Sequence, residues 1–200
     1  MFNVCPNCGE YRVDKIVLPD GPYAVCPVCE YQHTFVRLPL FIVTGASGTG
    51  KSTTCLAAST KDFVVMESDI LYSDEFNKDL ERYRELWLRV CKNIHQAGKP
   101  VILCGSCIPS QFESCVERRY FSETHYLALV CDDEVLATRL RARPAWRRTS
   151  SDEYIARHVE FNRWLKENAR TTQPPMTLLD TTEITVAESV EQLLRWAGNI

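Results

Sequence analysis

Apolar residues along the chain occur in two patterns, at helical spacing and in short continuous runs, and these patterns alternate. They predict helices that alternate with strands. The stretch from Ser73 or Asp74 to Ala97 carries apolar residues at helical spacing. Between such stretches lie short apolar runs with the length and composition of buried parallel strands. They span residues 40–44, 63–67, 101–104, 124–130 and 176–180. Strands that alternate with helices predict an α/β fold built on a parallel sheet.

Two later helices are predicted from their first turns. A capping box is a hydroxyl residue followed three positions later by a glutamate, and it marks a helix start. Ser150 with Glu153 predicts a helix that runs toward Ala169, and Thr185 with Glu188 predicts the last helix of the chain.

The first 36 residues predict a separate unit. Cys5, Cys8, Cys26 and Cys29 form two Cys-x-x-Cys pairs, separated by strand-like stretches and by a turn sequence at 19–22. Four thiolates from two tight turns supply the tetrahedral geometry that zinc prefers. The segment resembles a zinc ribbon over residues 1–36. A unit this small has too little apolar surface to fold alone, so the metal would supply the folding energy.

Iron in a rubredoxin-like site is the rival to zinc, because it also uses four thiolates. Four sulfurs close the site, so a catalytic role for the metal is not expected, and His33 is interpreted as a surface strand residue. The predicted role of the ribbon is structural, or it is a surface that docks a protein.

The most specific motif is a phosphate-binding loop after the first apolar run. The motif G-x-x-x-x-G-K-[ST] occupies residues 45–52, between a predicted strand and a predicted helix. Its backbone N–H groups and the helix N-terminus favour phosphate oxygens. Lys51 is expected to reach the outer phosphates of ATP, and the Ser52 hydroxyl to ligate magnesium. The candidate nucleotide-binding residues here are Gly45, Ser47, Gly48, Thr49, Gly50, Lys51, Ser52 and Thr53.

Two acidic residues follow the second predicted strand, at the sheet edge where ligands gather. Glu67 and Asp69 lie two positions apart, so in an extended chain they would point to the same side. Asp69 is the candidate general base, and either carboxylate is a candidate to hold magnesium through water. The third strand ends in Cys104-Gly105-Ser106-Cys107 and lacks the aspartate that many phosphate-loop proteins use for magnesium. Cys104 and Cys107 are interpreted as core residues.

Arginine is concentrated after the fourth strand. Five arginines lie within residues 139–148 of an otherwise acidic chain: Arg139, Arg141, Arg143, Arg147 and Arg148. Guanidinium groups stabilise charge on a phosphoryl group in transfer. Arg139 and Arg143, one helical turn apart, are the candidate catalytic pair. A solvated basic helix face is the alternative.

Residues 38–200 resemble the adenylate-kinase-like family of small-molecule kinases. The loop, the carboxylates, the arginine-rich segment and a strand end at 178–182 occur in that family's order. The resemblance implies a five-stranded parallel sheet flanked by helices, an arginine-bearing lid over the ATP phosphates, and Asp180 to Thr182 near the adenine. The fold does not name the phosphoryl acceptor.

Three functional hypotheses follow. The first is an ATP-dependent kinase for a small-molecule hydroxyl, with a nucleoside as acceptor, because Asp69 offers a base for the hydroxyl proton. Aromatic residues after Asp69 are candidates either to stack a base or to fill the core: Tyr72, Phe76, Tyr83 and Trp87. A nucleoside monophosphate kinase is the second, and a regulatory ATPase whose ribbon binds a partner is the third.

The composition of the chain bears on its binding partners and its location. The net charge of −3 disfavours nucleic-acid binding, and no apolar run reaches the 18 residues of a membrane span. No secretory signal is recognisable in the sequence. Ten cysteines without such a signal favour reduced thiols, and the expected location is cytoplasmic.

Overall fold

The computed structural model describes residues 3–12, 15–18, 23–58 and 60–198. The turn predicted at 19–22 lies outside the described residues. Within the part of the chain described, no helix is long and apolar enough to cross a membrane.

The described residues form eight strands in two sheets. They are β1 (Ile16–Val17), β2 (Tyr23–Val25), β3 (Gln32–Thr34), β4 (Leu40–Gly45), β5 (Val64–Glu67), β6 (Val101–Cys104), β7 (Thr124–Val130) and β8 (Met176–Asp180). The last five match the predicted apolar runs within one residue at each end.

In the same described ranges, seven α-helices separate or follow these strands. They are α1 (Lys51–Ala57), α2 (Asp74–Asn77), α3 (Leu80–His95), α4 (Pro109–Glu113), α5 (Asp133–Arg141), α6 (Asp152–Asn168) and α7 (Val186–Gly198). Short 3-10 helices occupy Ser68–Leu71, Val116–Tyr120, Ala145–Arg147 and Ala169–Thr171.

The larger sheet is parallel throughout, in the order β5-β6-β4-β7-β8. All six residues of β4 are buried, because helices cover both faces of the sheet. One apolar cluster packs α3 and α6 against one face, and a second packs α1 and α7 against the other. The predicted α/β fold with a five-stranded parallel sheet is confirmed.

Two helix predictions are corrected. The helix expected over 73–97 is divided in two, because Asp79 accepts a hydrogen bond from Arg82 N (2.9 Å) and starts α3 as a new helix. The start of α6 lies one residue later than expected, because Ser151 rather than Ser150 accepts from the N–H of Tyr154 (3.2 Å).

The capping box of α7 is confirmed. Thr185 N donates to Glu188 Oε2 (2.7 Å), and Glu188 N donates to Thr185 Oγ1 (3.2 Å).

The smaller sheet is antiparallel, in the order β1-β2-β3, and lies near the four N-terminal cysteines. His33 in β3 is buried, so its interpretation as a surface residue is wrong. Its ring packs edge-on against Tyr31, with centroids 5.1 Å apart.

Candidate active site

The phosphate-binding loop joins β4 to α1 at the edge of the sheet where the strands end. Gly45 has φ +147°, and a Cβ there would overlap Leu129 O on the neighbouring strand. Gly48 has φ +95°, and a Cβ there would come within 2.8 Å of Leu136 on α5. These positions require glycine because the loop curls tightly against β7 and α5.

A polar cavity of about 210 Å³ opens over this loop, and we call it the phosphate cavity. It brings together most of the predicted site. Its lining includes Ser47, Gly48, Gly50, Lys51, Ser52, Thr53, Glu67, Asp69, Cys104, Gly105, Ser106, Arg143, Arg147, Thr149 and Tyr154. Carboxylates, cations and loop residues from distant parts of the sequence therefore meet in one place.

Lys51 belongs to this cavity, and its Nζ donates to Ala46 O within the loop (2.9 Å). Burial lowers the pKa of Lys51 below its ordinary value, and the positive charge of Arg143 adds to the shift. Anionic ligands in the cavity would therefore meet a partly desolvated cation.

Glu67 is the carboxylate that lies against the loop. Ser52 Oγ donates a short hydrogen bond to Glu67 Oε1, which joins the end of β5 to the start of α1. A hydroxyl and a carboxylate in contact are a suitable donor set for magnesium. The end of β6, where many phosphate-loop proteins have an aspartate for magnesium, carries Cys104. Glu67 lies beside it at the end of β5 and offers a carboxylate in place of that aspartate.

Asp69 lies in the 3-10 helix Ser68–Leu71. The expectation that an extended chain points Asp69 and Glu67 to the same side is therefore wrong. Both side chains nevertheless line the phosphate cavity. Ser68 O, beside Asp69, accepts from Tyr83 Oη (2.6 Å) and from Trp87 Nε1 (3.1 Å). Two buried aromatic residues of α3 therefore fix the turn that carries Asp69.

A second cavity, of about 270 Å³, adjoins the first, and we call it the acceptor cavity. The two cavities share Asp69, Gly105 and Ser106. The rest of the acceptor cavity mixes apolar and polar side chains: Ile42, Ser68, Tyr72, Leu80, Tyr83, Arg84, Leu103, Cys107, Gln111 and Phe112. A Cβ on Gly105 would overlap Ser68 Oγ, so glycine there lets β5 and β6 end side by side.

Of the aromatic residues that follow Asp69, some fill the core and others line a cavity where a base could stack. Trp87 is fully buried, and Phe76 packs against the same apolar cluster. Tyr72 is half exposed and lines the acceptor cavity together with Tyr83. Cys104 and Cys107 are buried, as expected of core residues, although Cys104 also reaches the phosphate cavity.

Four of the five arginines lie in different surroundings. Arg143 and Arg147 line the phosphate cavity. Arg139 points toward the end of β8 instead, where its Nη2 donates to Thr181 O (2.9 Å). Arg141 forms an exposed ion pair with Asp152 (3.3 Å). Arg139 and Arg143 do share a third cavity, of about 280 Å³, with Gly50, Thr53 and Thr181.

Asp180 and Thr182 lie beside this third cavity rather than in it. Thr182 N donates to Asp180 Oδ1 (2.9 Å), and both residues line an open surface depression. Thr181, between them, is buried and donates from Oγ1 to Thr49 O of the loop (2.9 Å). The end of β8 is therefore tied to the phosphate-binding loop through Thr181.

Sequence reasoning missed three contributors. Tyr154 and His158 of α6 contact Ser47, and Arg84 of α3 enters the acceptor cavity. No motif marks these residues, since each reaches its place only through the packing of a helix on the sheet.

The four N-terminal cysteines converge. Their Sγ atoms all lie within 4.8 Å of one another, with Cys5 to Cys29 at 3.6 Å and Cys8 to Cys26 at 3.9 Å. Four sulfurs about 2.3 Å from a central zinc would be about 3.8 Å apart, so the cluster has the dimensions of a tetrahedral metal site.

The environment of Cys29 also favours a thiolate. Asn7 Nδ2 donates to Cys29 Sγ (3.5 Å), and this contact is the main cause that lowers the pKa of Cys29 to about 6. Metal ligands must be deprotonated, so the contact supports the predicted role.

No protein-family model matches the sequence, and no curated protein matches it either. Solved structures do resemble the fold. A sugar kinase from Janibacter sp. HTCC2649 is 17% identical, with a TM-score of 0.60 over 81% of this chain and 95% of that one. A gluconokinase from Sinorhizobium meliloti 1021 is 20% identical, with a TM-score of 0.55 over 82% of this chain and 96% of that one.

A shikimate kinase from Bacteroides thetaiotaomicron is 18% identical, with a TM-score of 0.50 over 80% of this chain and 98% of that one. At these identities the likeness establishes the phosphate-loop α/β fold. The activity has to be argued from the site itself.

Proposed function

We propose that this protein is an ATP-dependent phosphotransferase that phosphorylates a hydroxyl group of a small molecule. One observation carries the proposal: Asp69 stands in the wall between the phosphate cavity and the acceptor cavity. A base in that position faces the phosphates on one side and an acceptor on the other. The fold shared with sugar, gluconate and shikimate kinases supports the same reaction class.

The phosphate cavity would hold the triphosphate. Lys51 and Arg143 contribute positive charge beside the loop, where the transferring phosphoryl group gains negative charge. The third cavity, between the loop and the end of β8, would hold the nucleoside part of ATP. Arg139 would keep the lining of this cavity in place through its hydrogen bond to Thr181 O.

Magnesium, when bound with the nucleotide, would neutralise phosphate charge and orient the γ-phosphoryl group. Ser52 and Glu67 would hold it, because their oxygens already meet at the loop. We assign Glu67 to the metal and Asp69 to the acceptor, since Asp69 is the one of the two that lines the acceptor cavity.

In the transfer step, an acceptor oxygen forms a bond to the γ-phosphorus as the bond to the ADP oxygen breaks. The hydroxyl proton passes to Asp69, and ADP leaves with the electron pair of the broken bond. Neighbouring hydrogen bonds from Tyr83 and Trp87 to Ser68 hold the turn of Asp69 in place during this transfer.

A nucleoside is our first acceptor. The acceptor cavity has aromatic walls, Tyr72, Tyr83 and Phe112, that suit a flat base, and Gln111 offers an amide for its polar edge. Asp69 would then face a sugar hydroxyl.

A phosphate-bearing acceptor, as in a nucleoside monophosphate kinase, is the second candidate. Arg84 favours it, because this half-buried guanidinium lines the acceptor cavity and makes no hydrogen bond or ion pair with the residues that the structure describes. An anionic group on the acceptor would pair with it.

For the N-terminal region we propose a zinc ribbon over residues 1–36, followed by a kinase domain over residues 38–200. Zinc bound by Cys5, Cys8, Cys26 and Cys29 would stabilise the fold of the ribbon and leave no open coordination position. Iron is the rival metal, and elemental analysis of the purified protein distinguishes the two.

The test combines an acceptor panel with two matched carboxylate variants. Wild-type protein, ATP and magnesium are incubated with nucleosides and with nucleoside monophosphates, and acceptor-dependent ADP is measured. Formation of ADP that depends on a nucleoside would support the first acceptor class. Activity with monophosphates alone, and its loss in Arg84→Met, would favour the second class. ADP release without any acceptor would instead support a regulatory ATPase.

Asp69→Asn should lower kcat by roughly 10²–10⁴-fold with little change in ATP affinity, because it removes the base. Glu67→Gln should chiefly weaken binding of ATP with magnesium. If the two variants exchange these effects, the assignment of the carboxylates is wrong. If Asp69→Asn turns over like the wild type, Asp69 is structural.

A further inference from the structure

His158 holds the backbone of the phosphate-binding loop from outside the loop. Its Nδ1 accepts a hydrogen bond from the backbone N–H of Ser47, at 3.2 Å, across 111 positions of sequence. The ring comes from α6, which begins after the arginine-rich segment. A loop amide that could rotate is thereby fixed by a helix that packs on the sheet.

Tyr154 holds the side chain of the same loop residue. Its hydroxyl donates to Ser47 Oγ at 3.1 Å. Tyr154 lies one turn before His158 on α6, and the two rings are packed with centroids 4.3 Å apart. Both polar groups of Ser47 that face α6 are therefore satisfied by neighbouring side chains of one helix.

The residue held in this way belongs to the phosphate cavity. Ser47 and Tyr154 line it together with Lys51 and Arg143. A phosphate-binding loop works by keeping its N–H groups aimed at the ligand, and any loop ordering that occurs on binding costs affinity. An anchor on Ser47 fixes the first half of the loop before the nucleotide arrives.

The hydrogen bond also defines the state of the imidazole. Nδ1 accepts, so the ring is neutral and its proton is on Nε2. Burial, together with the cations Lys51, Arg157 and Arg143, lowers the pKa of His158 to about 4. The ring therefore stays neutral, and the anchor intact, throughout the physiological range of pH.

We propose that His158 is a positioning residue for the nucleotide, which holds the phosphate-binding loop in its binding shape through Ser47, with Tyr154 as a second anchor. The proposal rests on the proposed function only in taking ATP as the ligand of the loop. It does not depend on the identity of the acceptor.

The experiment measures binding of ATP with magnesium by calorimetry to four proteins: wild type, His158→Ala, His158→Asn and Glu160→Ala. Glu160 is an exposed residue of the same helix and serves as the control. His158→Ala should bind ATP roughly tenfold more weakly, because the Ser47 N–H loses its acceptor. His158→Asn should recover most of the affinity, since its Oδ1 stands at the position of Nδ1 and can accept in its place. Glu160→Ala should bind as the wild type does.

A second measurement separates positioning from packing. The amide signal of Ser47 in a ¹⁵N-correlated NMR spectrum should shift in His158→Ala and return toward its wild-type position in His158→Asn. Unchanged affinity in His158→Ala, or equal losses in the Ala and Asn variants, would overturn the proposal. If Lys51→Ala abolishes ATP binding while His158→Ala leaves it unchanged, the proposal that the loop binds ATP stands and the proposal for His158 alone fails.

Discussion

The ribbon sheet and the phosphate-loop sheet differ in how much apolar side chain surrounds them. The five-stranded sheet is covered on each face by its own buried apolar cluster. Among the described residues up to position 36, the buried apolar ones are Ala24 and Phe35 apart from two of the cysteines, and these two cluster with Tyr120 of the larger region. The N-terminal sheet therefore has a small apolar cluster, and that cluster is completed by a residue of the larger region.

One contact with the larger region is a buried ion pair beneath the ribbon. Lys92 of α3 donates to Glu117 Oε2 at 2.6 Å, and the side chains of both residues are only 1% exposed. Lys92 also donates to Asn3 Oδ1 of the ribbon (3.1 Å) and lies 4.2 Å from the ring centroid of Tyr120. We call this arrangement the ribbon seat.

A second contact joins the ribbon to the end of α3. Val36 N donates to Gln96 Oε1 (2.9 Å), and Gln96 Nε2 donates to Val36 O (3.2 Å). The end of the N-terminal segment is thus joined to α3, the helix that also carries Tyr83 and Arg84 into the acceptor cavity.

The largest effect expected on this comparison comes from removing one sulfur. If the four cysteines bind zinc as proposed, Cys26→Ser should release the metal and unfold the ribbon, because metal binding would supply its folding energy. ATP binding should persist, since the phosphate-binding loop lies in the larger core. Metal analysis, limited proteolysis and calorimetry measure the three effects.

The control for that experiment is Cys91→Ala, which alters a buried thiol of α3 that is not one of the four clustered cysteines and should leave the metal content unchanged. Loss of ATP binding in folded, soluble Cys26→Ser protein would show that the two regions form one cooperative unit.

A smaller effect is expected at the ribbon seat. Glu117→Gln removes the negative charge that faces the buried Lys92 ammonium at 2.6 Å, which should lower the free energy of unfolding by about 3 kcal/mol. The ribbon should become more sensitive to protease while it keeps its metal. Denaturant titration measures the loss.

The double variant Glu117→Gln with Lys92→Met removes both charges and should be less destabilised than Glu117→Gln alone. Strictly additive losses would mean that the two side chains do not act as a pair.

The smallest effect concerns the two turns that carry the clustered cysteines, which have matching backbone hydrogen bonds. Gly9 N donates to Cys5 O, and Glu30 N donates to Cys26 O, both at 2.9 Å. Gly9 has φ +75°, whereas Glu30 adopts φ +60° despite its side chain. Glu30→Gly should therefore stabilise the ribbon by about 0.5–1 kcal/mol, measured as tighter metal retention against a chelator. Weaker retention would show that the Glu30 side chain contributes more than its backbone strain costs.

Sequence reasoning succeeded where the signal is local. The loop at 45–52, the apolar strands and the two cysteine pairs are each encoded within a few residues, and the structure places them as expected. The break at Asp79 was missed because the apolar spacing continues on both sides of it. Its capping hydrogen bond decides the boundary instead.

Contacts across long sequence separations were not predictable in the same way. The bond from Ser47 to His158 and the pairing of Lys92 with Glu117 depend on how helices pack, and neither sequence neighbourhood marks them. The candidate pair Arg139 and Arg143 was chosen from helical spacing, yet packing directs Arg139 to Thr181 and brings Arg147 to the phosphate cavity.

The most direct test of the central claim compares wild type with Lys51→Ala for acceptor-dependent formation of ADP. Lys51 lies in the phosphate cavity, and its loss removes positive charge from the transferring phosphoryl group. Phosphoryl transfer should become undetectable, while the metal content and the thermal unfolding curve stay as in the wild type. Near-normal turnover in Lys51→Ala would contradict the account of this site as a kinase active site.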